Sequence, residues 1–277
     1  MENQKRMEEV IVLIRGAGEM ASGVAHRLYR SHFRVCMLEI SHPLAVRREV
    51  SFCEAVYEGE KEIEGVGSKL ISKAEKIQSV WEEGKIPLLI DPEGKQTRTF
   101  LKPDIFIDAT LAKKNLGTRM NDAPMVIGLG PGFTAGKDVH AVIETNRGQN
   151  LGKVILEGAA EPDTGIPAEV GGYTVERVLR TMKKGVFHPD KSIGDPVSKG
   201  TVVAVVDDYP VIAEISGVLR GILQDGTGVT KGMKVGDIDP RGKRELCFTI
   251  SEKARAIGGG VLEAILNRFN RRRNNSD

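Results

Sequence analysis

Two glycine-rich segments have the residue types and spacing best suited to binding an anion. The first reads RGAGEMASGVAHRL and places Gly16, Gly18 and Ala21 in the order Gly-x-Gly-x-x-Ala after a β-branched stretch. Gly16 permits a sharp turn, Gly18 lets a pyrophosphate approach the backbone, and Ala21 lets a helix pack closely on a strand. Ser22 adds a hydroxyl donor. The helix that follows would direct its free N–H groups at the phosphate.

Charged side chains around the next predicted strand bear on which nucleotide would bind. Glu39 lies 21 positions after Gly18, where dinucleotide-binding domains place the acid that accepts hydrogen bonds from ribose hydroxyls. Arg47 and Arg48 follow and could hold a 2′-phosphate, or another ligand phosphate, with their planar guanidinium groups. Glu39 favours NAD and the arginines favour NADP, so both stay open, as does a merely solvated arginine pair. Glu19 would repel a phosphate unless it points away or binds a cation.

The second glycine-rich segment is Gly128–Gly136, which directly follows an apolar stretch. It contains the candidate ligand-binding residues Gly130, Gly132 and Gly136. Four glycines in nine residues are more than one turn needs, so a ligand or another backbone segment is expected to approach closely. The segment lacks the Gly-Lys-Ser/Thr ending of a P-loop, which disfavours nucleoside-triphosphate hydrolysis.

Polar side chains also follow two other predicted strands. Lys113 and Asn115 lie in DATLAKKN, and Glu144–Arg147 reads ETNR. Open α/β sheets bind ligands at the carboxyl ends of their strands, so we expect these groups to share a cleft. Lys113 is the acid/base candidate if the protein transfers a hydride. The scattered histidines and cysteines have no triad or metal-ligand spacing, so the catalytic residues stay unknown and no metal site is predicted.

The elements that must position these residues alternate between β-branched stretches and helical or loop stretches from Val10 to about Gly148. This alternation predicts an α/β domain with a Rossmann-like, mostly parallel sheet. A helix is expected over Ser72–Glu83. The expected strands are Val10–Ile14, Phe33–Ile40, Ile86–Asp91, Asp104–Ala109, Pro124–Leu129 and Val139–Glu144.

An internal repeat occupies much of the second half of the chain. Gly194–Asp207 aligns without gaps on Gly226–Asp239 through the pattern G-x-x-V-[S/T]-K-G-x-x-V-x-x-[V/I]-D. Two such β-units predict a small two-fold, all-β domain. The frame resembles the barrel-sandwich hybrid of biotinyl and lipoyl carrier domains. The hairpin tip where those domains present a lysine reads Asp207-Asp208-Tyr209-Pro210, so no attached biotin or lipoate is expected.

The predicted organisation has four parts. They are a Rossmann-like nucleotide-binding domain (1–150), a bridging region (151–185) with a weak helical pattern over Thr174–Met182, a barrel-sandwich hybrid domain (186–250), and a C-terminal helix with a basic tail (251–277). Lys+Arg 40 against Asp+Glu 38 gives a formal net charge of +2, which favours neither a nucleic-acid nor a membrane partner. With no apolar run of roughly 20 residues and no signal-peptide pattern, a cytoplasmic protein is expected. A homo-oligomer stays open.

Several segments in combination resemble one protein family. They are RGAGEMASGVAHRL, PLAVRREVSFCEAVYEG, DATLAKKN, IGLGPGFTAGKDVHAVIETNRG, LGKVILEGAAEPDTGIP and the repeat. The chain is similar to the accessory proteins of selenium-dependent molybdenum hydroxylases, the YqeB type, which are distantly similar to the XdhC and CoxI maturation proteins. The resemblance implies a Rossmann-like domain, a sandwich-hybrid domain, and a role in preparing or delivering molybdenum cofactor, including its sulfuration or selenation. It transfers no catalytic residue. The positions that match its motifs are Gly16, Gly18, Ser22, Arg47, Arg48, Lys113, Asn115, Gly130, Gly132 and Gly136.

Three functional classes stay open. The favoured one is a maturation factor that binds a nucleotide or pterin ligand, such as molybdopterin dinucleotide, and acts on a molybdenum hydroxylase apoprotein. The alternative is an NAD(P)-dependent oxidoreductase acting on a small substrate. The third is a scaffold that binds only protein.

Overall fold

The computed structural model describes residues 6–274, with side chains described as far as residue 268. The fold is mixed α/β, with one large, mostly parallel sheet and three antiparallel sheets. The predicted α/β class is therefore confirmed. The side chains of the basic tail lie outside the described residues.

Nine strands form the large sheet. They are β1 (Ile11–Arg15), β2 (Arg34–Glu39), β3 (Glu60–Ile63), β4 (Val66–Leu70), β5 (Ile86–Ile90), β6 (Ile105–Asp108), β7 (Met125–Leu129), β9 (Ala141–Ile143) and β10 (Val154–Ile155). The intervening β8 (Thr134–Ala135) pairs with β11 (Gly158–Ala159) in a two-stranded sheet. The α-helices are α1 (Glu19–Arg30), α2 (Ala55–Glu58), α3 (Ile77–Glu82), α4 (Lys95–Leu101) and α5 (Glu252–Asn274).

The spatial order of the large sheet places a crevice beside β1. The order is β10-β9-β7-β6-β1-β2-β5-β4-β3, and only the edge strands β3 and β10 pair antiparallel. The parallel run β5-β2-β1-β6-β7-β9 is the order of a doubly wound sheet, in which the winding direction reverses between β1 and β6. The loops that leave the carboxyl ends of β1 and β6 therefore diverge, and they leave room for a ligand.

Each of the six predicted strands overlaps a strand of this sheet, with ends that differ by a few residues at most. The sequence does not indicate the β3–β4 hairpin, because Glu60–Ile63 is rich in charge and lies at the sheet edge. The predicted helix over Ser72–Glu83 is shorter than expected. Its first turn is a 3-10 turn at Ala74–Lys76, and α3 follows.

Two four-stranded antiparallel sheets follow in the chain. Their strands are β12 (Val178–Arg180), β13 (Gly185–Pro189), β14 (Pro196–Val197), β15 (Val202–Val206), β16 (Tyr209–Ile212), β17 (Gly217–Ile222), β18 (Thr227–Val229) and β19 (Lys234–Asp239). One sheet has the order β12-β19-β17-β14 and the other β16-β15-β13-β18. Both sheets contribute to one apolar core, in which Phe187, Val203, Leu219 and Val235 are fully buried.

The sequence repeat corresponds to a repeated strand pair. The first copy forms β14 and β15, and the second copy forms β18 and β19. In each copy the two strands belong to different sheets, and the second copy occupies the sheets in the reverse order. In each copy the shared Lys-Gly positions fall in the turn that connects its two strands, as the turn chemistry of glycine predicts.

The helical pattern over Thr174–Met182 gave a wrong prediction. A 3-10 turn at Val175–Arg177 leads into β12, which pairs with β19. Two apolar side chains, Val178 and Leu179, are buried by that pairing, and burial outweighs the weak local preference. The antiparallel strands therefore begin within the segment expected to be a bridge.

The C-terminal helix α5 packs on the α/β part of the molecule. Its buried side chains belong to the same apolar core as β1 and α1, and they are Ala254, Ile257, Val261, Ala264 and Ile265. The helix begins at Glu252, whereas the apolar pattern of the sequence indicates a helix only from Val261, because glycines 258–260 conceal its period. A close approach requires two of these glycines, since a Cβ at Gly258 would lie 3.1 Å from the Gly23 carbonyl oxygen of α1. No helix within residues 6–274 combines the length and apolar character needed to cross a membrane.

Two neighbouring glycines of α5 provide a matched test of this packing. A Cβ at Gly260 would collide with the carbonyl oxygen of Gly152, whereas a Cβ at Gly259 meets nothing within 4 Å. Gly260→Ala should lower the free energy of unfolding by about 1 to 3 kcal/mol through overpacking. Gly259→Ala should raise it by about 0.5 to 1 kcal/mol through helix propensity. Urea denaturation measures both, and equal effects of the two variants would contradict the packing.

Candidate ligand-binding cleft

A cleft of about 1000 Å³ opens at the carboxyl edge of the parallel strands. Loops after β1, β2, β6 and β9 form one side of it, and residues of β12, β17 and β19 form the other. The segment 161–168 and the start of α5 complete the wall. The structure places five of the sequence-predicted site residues on this wall, which are Gly16, Gly18, Glu39, Arg47 and Lys113.

The first glycine-rich loop turns into α1 at the edge of the cleft. Gly16 has a φ of 100° and a Cβ there would lie 3.0 Å from the Ala109 carbonyl oxygen, so both conformation and space require glycine. Gly18 caps α1, has no side-chain cap, and leaves open space where a Cβ would be. The first N–H groups of α1 therefore lack the capping side chain that often satisfies them.

Ser22 has a structural role and does not line the cleft. Its side chain is fully buried. The hydroxyl donates to the Ala17 carbonyl oxygen at 3.0 Å and accepts from the Phe52 N–H at 2.8 Å. These bonds fix the glycine-rich loop against the segment that follows β2.

Glu39 connects the end of β2 to the glycine-rich loop. One carboxylate oxygen accepts from the Ala17 N–H at 2.8 Å and the other accepts from the Ile40 N–H at 2.8 Å. Burial raises the pKa of Glu39, and the two backbone hydrogen bonds oppose that rise. The carboxylate thus holds the loop that faces the cleft while remaining part of the cleft wall.

Arg47 is bound to protein groups on several sides. Only 4% of the residue is exposed, and one terminal nitrogen donates to Glu19 Oε1 at 3.2 Å. The other donates to the carbonyl oxygens of Leu246 at 3.1 Å and Thr249 at 3.3 Å. Ser251 Oγ also donates to Glu19, at 2.8 Å. Because Arg47 balances the Glu19 carboxylate, the repulsion of phosphate expected from Glu19 is weakened.

Arg48 and Asn115 lie outside the cleft wall. Arg48 donates to the Ile222 carbonyl oxygen at 2.9 Å and to Gln224 Oε1 at 2.6 Å, and it pairs with Glu54 at 3.0 Å. Asn115 Oδ1 accepts from the N–H groups of residues 117 and 118. The first side chain joins two parts of the molecule, and the second shapes a turn.

The second glycine-rich segment serves backbone packing. A Cβ at Gly130 would collide with Thr145 Oγ1, and one at Gly132 would lie 2.7 Å from the Lys114 backbone. Gly136 adopts a φ of 85° in an open turn. Only Pro131 of this segment lines the cleft. The sequence left two explanations for these glycines, the close approach of a ligand or of another chain segment. The structure shows the close approach of other chain segments.

The loop after β6 is held in a strained shape by a buried carboxylate. Leu111 and Lys113 have positive φ angles of 53° and 61°, which non-glycine residues adopt at a cost. Asp108 is fully buried and accepts from the hydroxyls of Thr110 at 2.7 Å and Thr118 at 2.6 Å. At its tip, Lys113 Nζ donates to Asp163 Oδ2 at 2.5 Å, and this contact lowers the pKa of Asp163.

Sequence reasoning missed the strongest electrostatic feature of the cleft. Its described wall carries nine cationic side chains, Arg15, Arg47, Lys113, Arg147, Arg177, Arg180, Arg220, Lys234 and Lys253, against five acidic ones, Glu19, Glu39, Glu161, Asp163 and Asp237. Six of these fourteen residues come from the 3-10 turn before β12 or from later segments. Their convergence depends on how the two parts of the molecule are placed, which no local pattern reveals.

Lys253 is the cation of this wall with the fewest interactions. It lies in the first turn of α5 and forms no hydrogen bond or ion pair with another residue of the described chain. Burial lowers its pKa, and Arg147 lowers it further. A ligand anion would relieve both effects. Within the described residues, no three His, Cys, Asp or Glu side chains are grouped so that they could hold a metal ion.

Comparison with solved structures gives only weak likenesses. The chain is 11% identical to the apo ectoine utilization protein EutE (DoeB) of Ruegeria pomeroyi, with 83% and 85% of the two chains covered and a TM-score of 0.23. It is 19% identical to a succinylglutamate desuccinylase/aspartoacylase of Rhodobacter sphaeroides, with 31% and 30% covered and a TM-score of 0.21. Likenesses this low carry no argument about fold or activity.

Comparison with known sequences gives one strong match. No family model matches the chain. The chain is 48% identical over 256 residues to the uncharacterized protein YqeB of Escherichia coli K12. The match covers 92% of this chain and 47% of YqeB, so the chain spans about half the length of that relative. The chain is therefore similar to about half of YqeB along most of its own length.

Proposed function

We propose that the chain binds a nucleotide or molybdenum-cofactor-type ligand in the cleft and serves as an accessory protein for maturation of a selenium-dependent molybdenum hydroxylase. The observation that carries the ligand-binding half is the cationic cleft into which the glycine-rich loop and α1 open. The maturation half, with its distant link to XdhC and CoxI and its hydroxylase apoprotein partner, rests on the resemblance of the sequence motifs.

The charge of the cleft supports an anionic ligand. The cations on its wall outnumber the acids, although the whole chain has a formal net charge of only +2. A concave, partly desolvated surface strengthens the field of its charges and concentrates ligands of the opposite sign. Phosphate groups are the anions that the uncapped N-terminus of α1 is suited to receive.

The size and rim of the cleft support a large ligand with an apolar part. Its volume of about 1000 Å³ is at the upper end of the range for small-molecule sites. Four apolar side chains of the wall are also exposed to solvent, namely Ile40, Leu44, Leu116 and Ile166. A ring system could lie on this rim while its phosphates reach the cations. Molybdopterin dinucleotide has this chemistry and fits the residues present.

The domain organisation is part of this proposal. The strand order supports a Rossmann-like unit, and the repeated strand pairs with their common core support a barrel-sandwich hybrid. The same Rossmann-like order, with Glu39 at the end of β2, also favours the alternative of an NAD(P)-dependent oxidoreductase.

Native mass spectrometry of the freshly purified protein tests the proposal. We expect a retained ligand with the mass of a nucleotide or pterin, and co-purification of a molybdenum hydroxylase apoprotein.

Thermal-shift titrations with CDP, GDP, NAD and NADP identify the nucleotide type, because a ligand that binds the native state raises the melting temperature. Oxidation of NAD(P)H that depends on a small substrate would instead support the oxidoreductase. If no ligand is retained and no nucleotide raises the melting temperature, the result would support the third class, a scaffold that binds only protein.

The open space at Gly18 allows a test of the glycine-rich loop. Gly18→Val adds a side chain whose Cβ would meet nothing within 4 Å, so the ligand-free protein should lose only the about 1 kcal/mol expected for a poorer N-cap residue. The new side chain should block the N-terminus of α1 and weaken CDP binding by about tenfold or more, as expected for one lost charge-assisted hydrogen bond. Isothermal titration calorimetry measures this. Gly228→Val, in an equally open position on β18, is the control and should bind CDP normally.

Lys253→Met should weaken nucleotide binding while stabilising the ligand-free protein. The lowered pKa means that charged Lys253 opposes folding at pH 7. This penalty is complete below the folded-state pKa and vanishes as the pH rises toward the unfolded value of about 10.4. The gain in unfolding free energy should therefore shrink from pH 7 to pH 9.5 in urea titrations. Lys199→Met, at an exposed lysine outside the cleft, should change neither property, and a stability loss at pH 7 would contradict the assignment.

A further inference from the structure

We propose that Arg220 binds a second phosphate of the ligand, so that the antiparallel strands hold one end of the ligand and α1 holds the other. This inference rests on the proposed function, because it assumes that the cleft binds a phosphorylated ligand. It adds that the ligand carries two separated phosphates, and it assigns one of them to a residue outside the α/β part of the molecule.

Arg220 lies at an irregularity in β17 that turns its side chain toward the cleft. Along the β17–β19 pair, Leu219 is opposite Ile238 and Gly221 is opposite Asp237, which leaves Arg220 as an extra residue. Such β-bulges redirect side chains and are common beside functional sites. Arg220 lines the cleft.

The residue after the bulge is in close contact with the α/β part of the molecule. A Cβ at Gly221 would lie 2.7 Å from the Val46 carbonyl oxygen. The Ile222 N–H donates to the same oxygen at 2.8 Å. Arg220 is therefore brought to the boundary between the two parts of the molecule, beside Arg47.

Arg220 is buried, and its guanidinium is only loosely paired. Only 7% of the residue is exposed, and its buried Nε has no hydrogen-bond partner among the described residues. The nearest carboxylate oxygen is Asp239 Oδ2 at 3.7 Å, beyond hydrogen-bond distance. Asp239 already accepts from Arg241 Nε at 2.9 Å and from its terminal nitrogen at 2.7 Å. The nearby charge of Arg47 adds repulsion.

A buried cation whose carboxylate partner is distant and shared with Arg241 destabilises the ligand-free protein, and an anion from the cleft would reduce that cost. A phosphate is the suited anion because the planar guanidinium can donate two parallel hydrogen bonds to it. The surrounding wall reinforces this choice. Residues Arg177, Arg180 and Lys234 line the same side, and Asp237 is the only acid of the antiparallel strands on the described wall.

The two phosphate positions belong to different walls of the cleft. The N-terminus of α1 faces it from the α/β part, and Arg220 faces it from β17. A ligand with a single phosphate group leaves one of these positions empty. CDP and inorganic phosphate are therefore expected to bind together rather than compete.

Calorimetric titration of the full chain separates the two positions. Wild-type protein is first saturated with CDP and then titrated with inorganic phosphate at constant ionic strength. Arg220→Met should bind phosphate about 10- to 100-fold more weakly and still bind CDP, whereas Gly18→Val should bind CDP about tenfold or more weakly and keep phosphate. Arg220→Lys, which keeps the charge, should give an intermediate phosphate affinity. Arg244→Met, at an exposed arginine outside the cleft, is the matched control and should behave as wild type.

Thermal melting distinguishes a binding role from a structural one. Without phosphate, Arg220→Met should melt no lower than wild type, and phosphate should stabilise only the wild type. A loss of stability that is equal with and without phosphate would overturn the assignment, as would unchanged phosphate affinity in Arg220→Met. Failure of wild-type protein to bind any nucleotide would overturn the proposed function, while the phosphate titration would still decide the role of Arg220.

Discussion

The attachment of the antiparallel strands to the α/β sheet depends on three consecutive residues after β2. The Val46 carbonyl oxygen accepts from the Ile222 N–H, and Arg48 donates back to the Ile222 carbonyl oxygen. Between them, Arg47 links Glu19 at the start of α1 to the chain that leads into α5. These bonds are buried or partly buried, and loss of one partner would leave a charge without compensation. The cleft exists because this segment holds its two walls in place.

This constraint explains why the arginines have different roles from the ones that the sequence indicates. A pair of arginines after the second strand of a nucleotide-binding unit predicts phosphate contacts, and their spacing is correct for that role. The side chains instead bind Glu19, Glu54 and carbonyl oxygens of distant segments. The cations left for a ligand, Lys253 and Arg220, occur in parts of the sequence without a binding motif. Their importance follows from tertiary placement alone.

The sequence predicts regular buried elements well and exposed or irregular ones poorly. β1 and β7 are short apolar runs bounded by turn residues, so their pattern is clear. The charged edge strand β3 and the three-residue strand β12 have no such pattern. The start of α5 is concealed by glycines 258–260, which a local propensity scale counts against a helix. Gly258 and Gly260 are needed because α1 and Gly152 lie so close to the helix axis.

The return of α5 to the first core also has a consequence for how the chain folds. The face of α1 that contacts Ala254 and Gly258 has no cover until α5 leaves the ribosome, because the antiparallel strands β12 to β19 are synthesised before it. Contacts of such long sequence separation form slowly, and an apolar face that stays exposed before they form is prone to aggregation. The antiparallel unit is therefore synthesised as an insertion into an unfinished core, and premature termination before α5 would produce a chain suited to capture by chaperones.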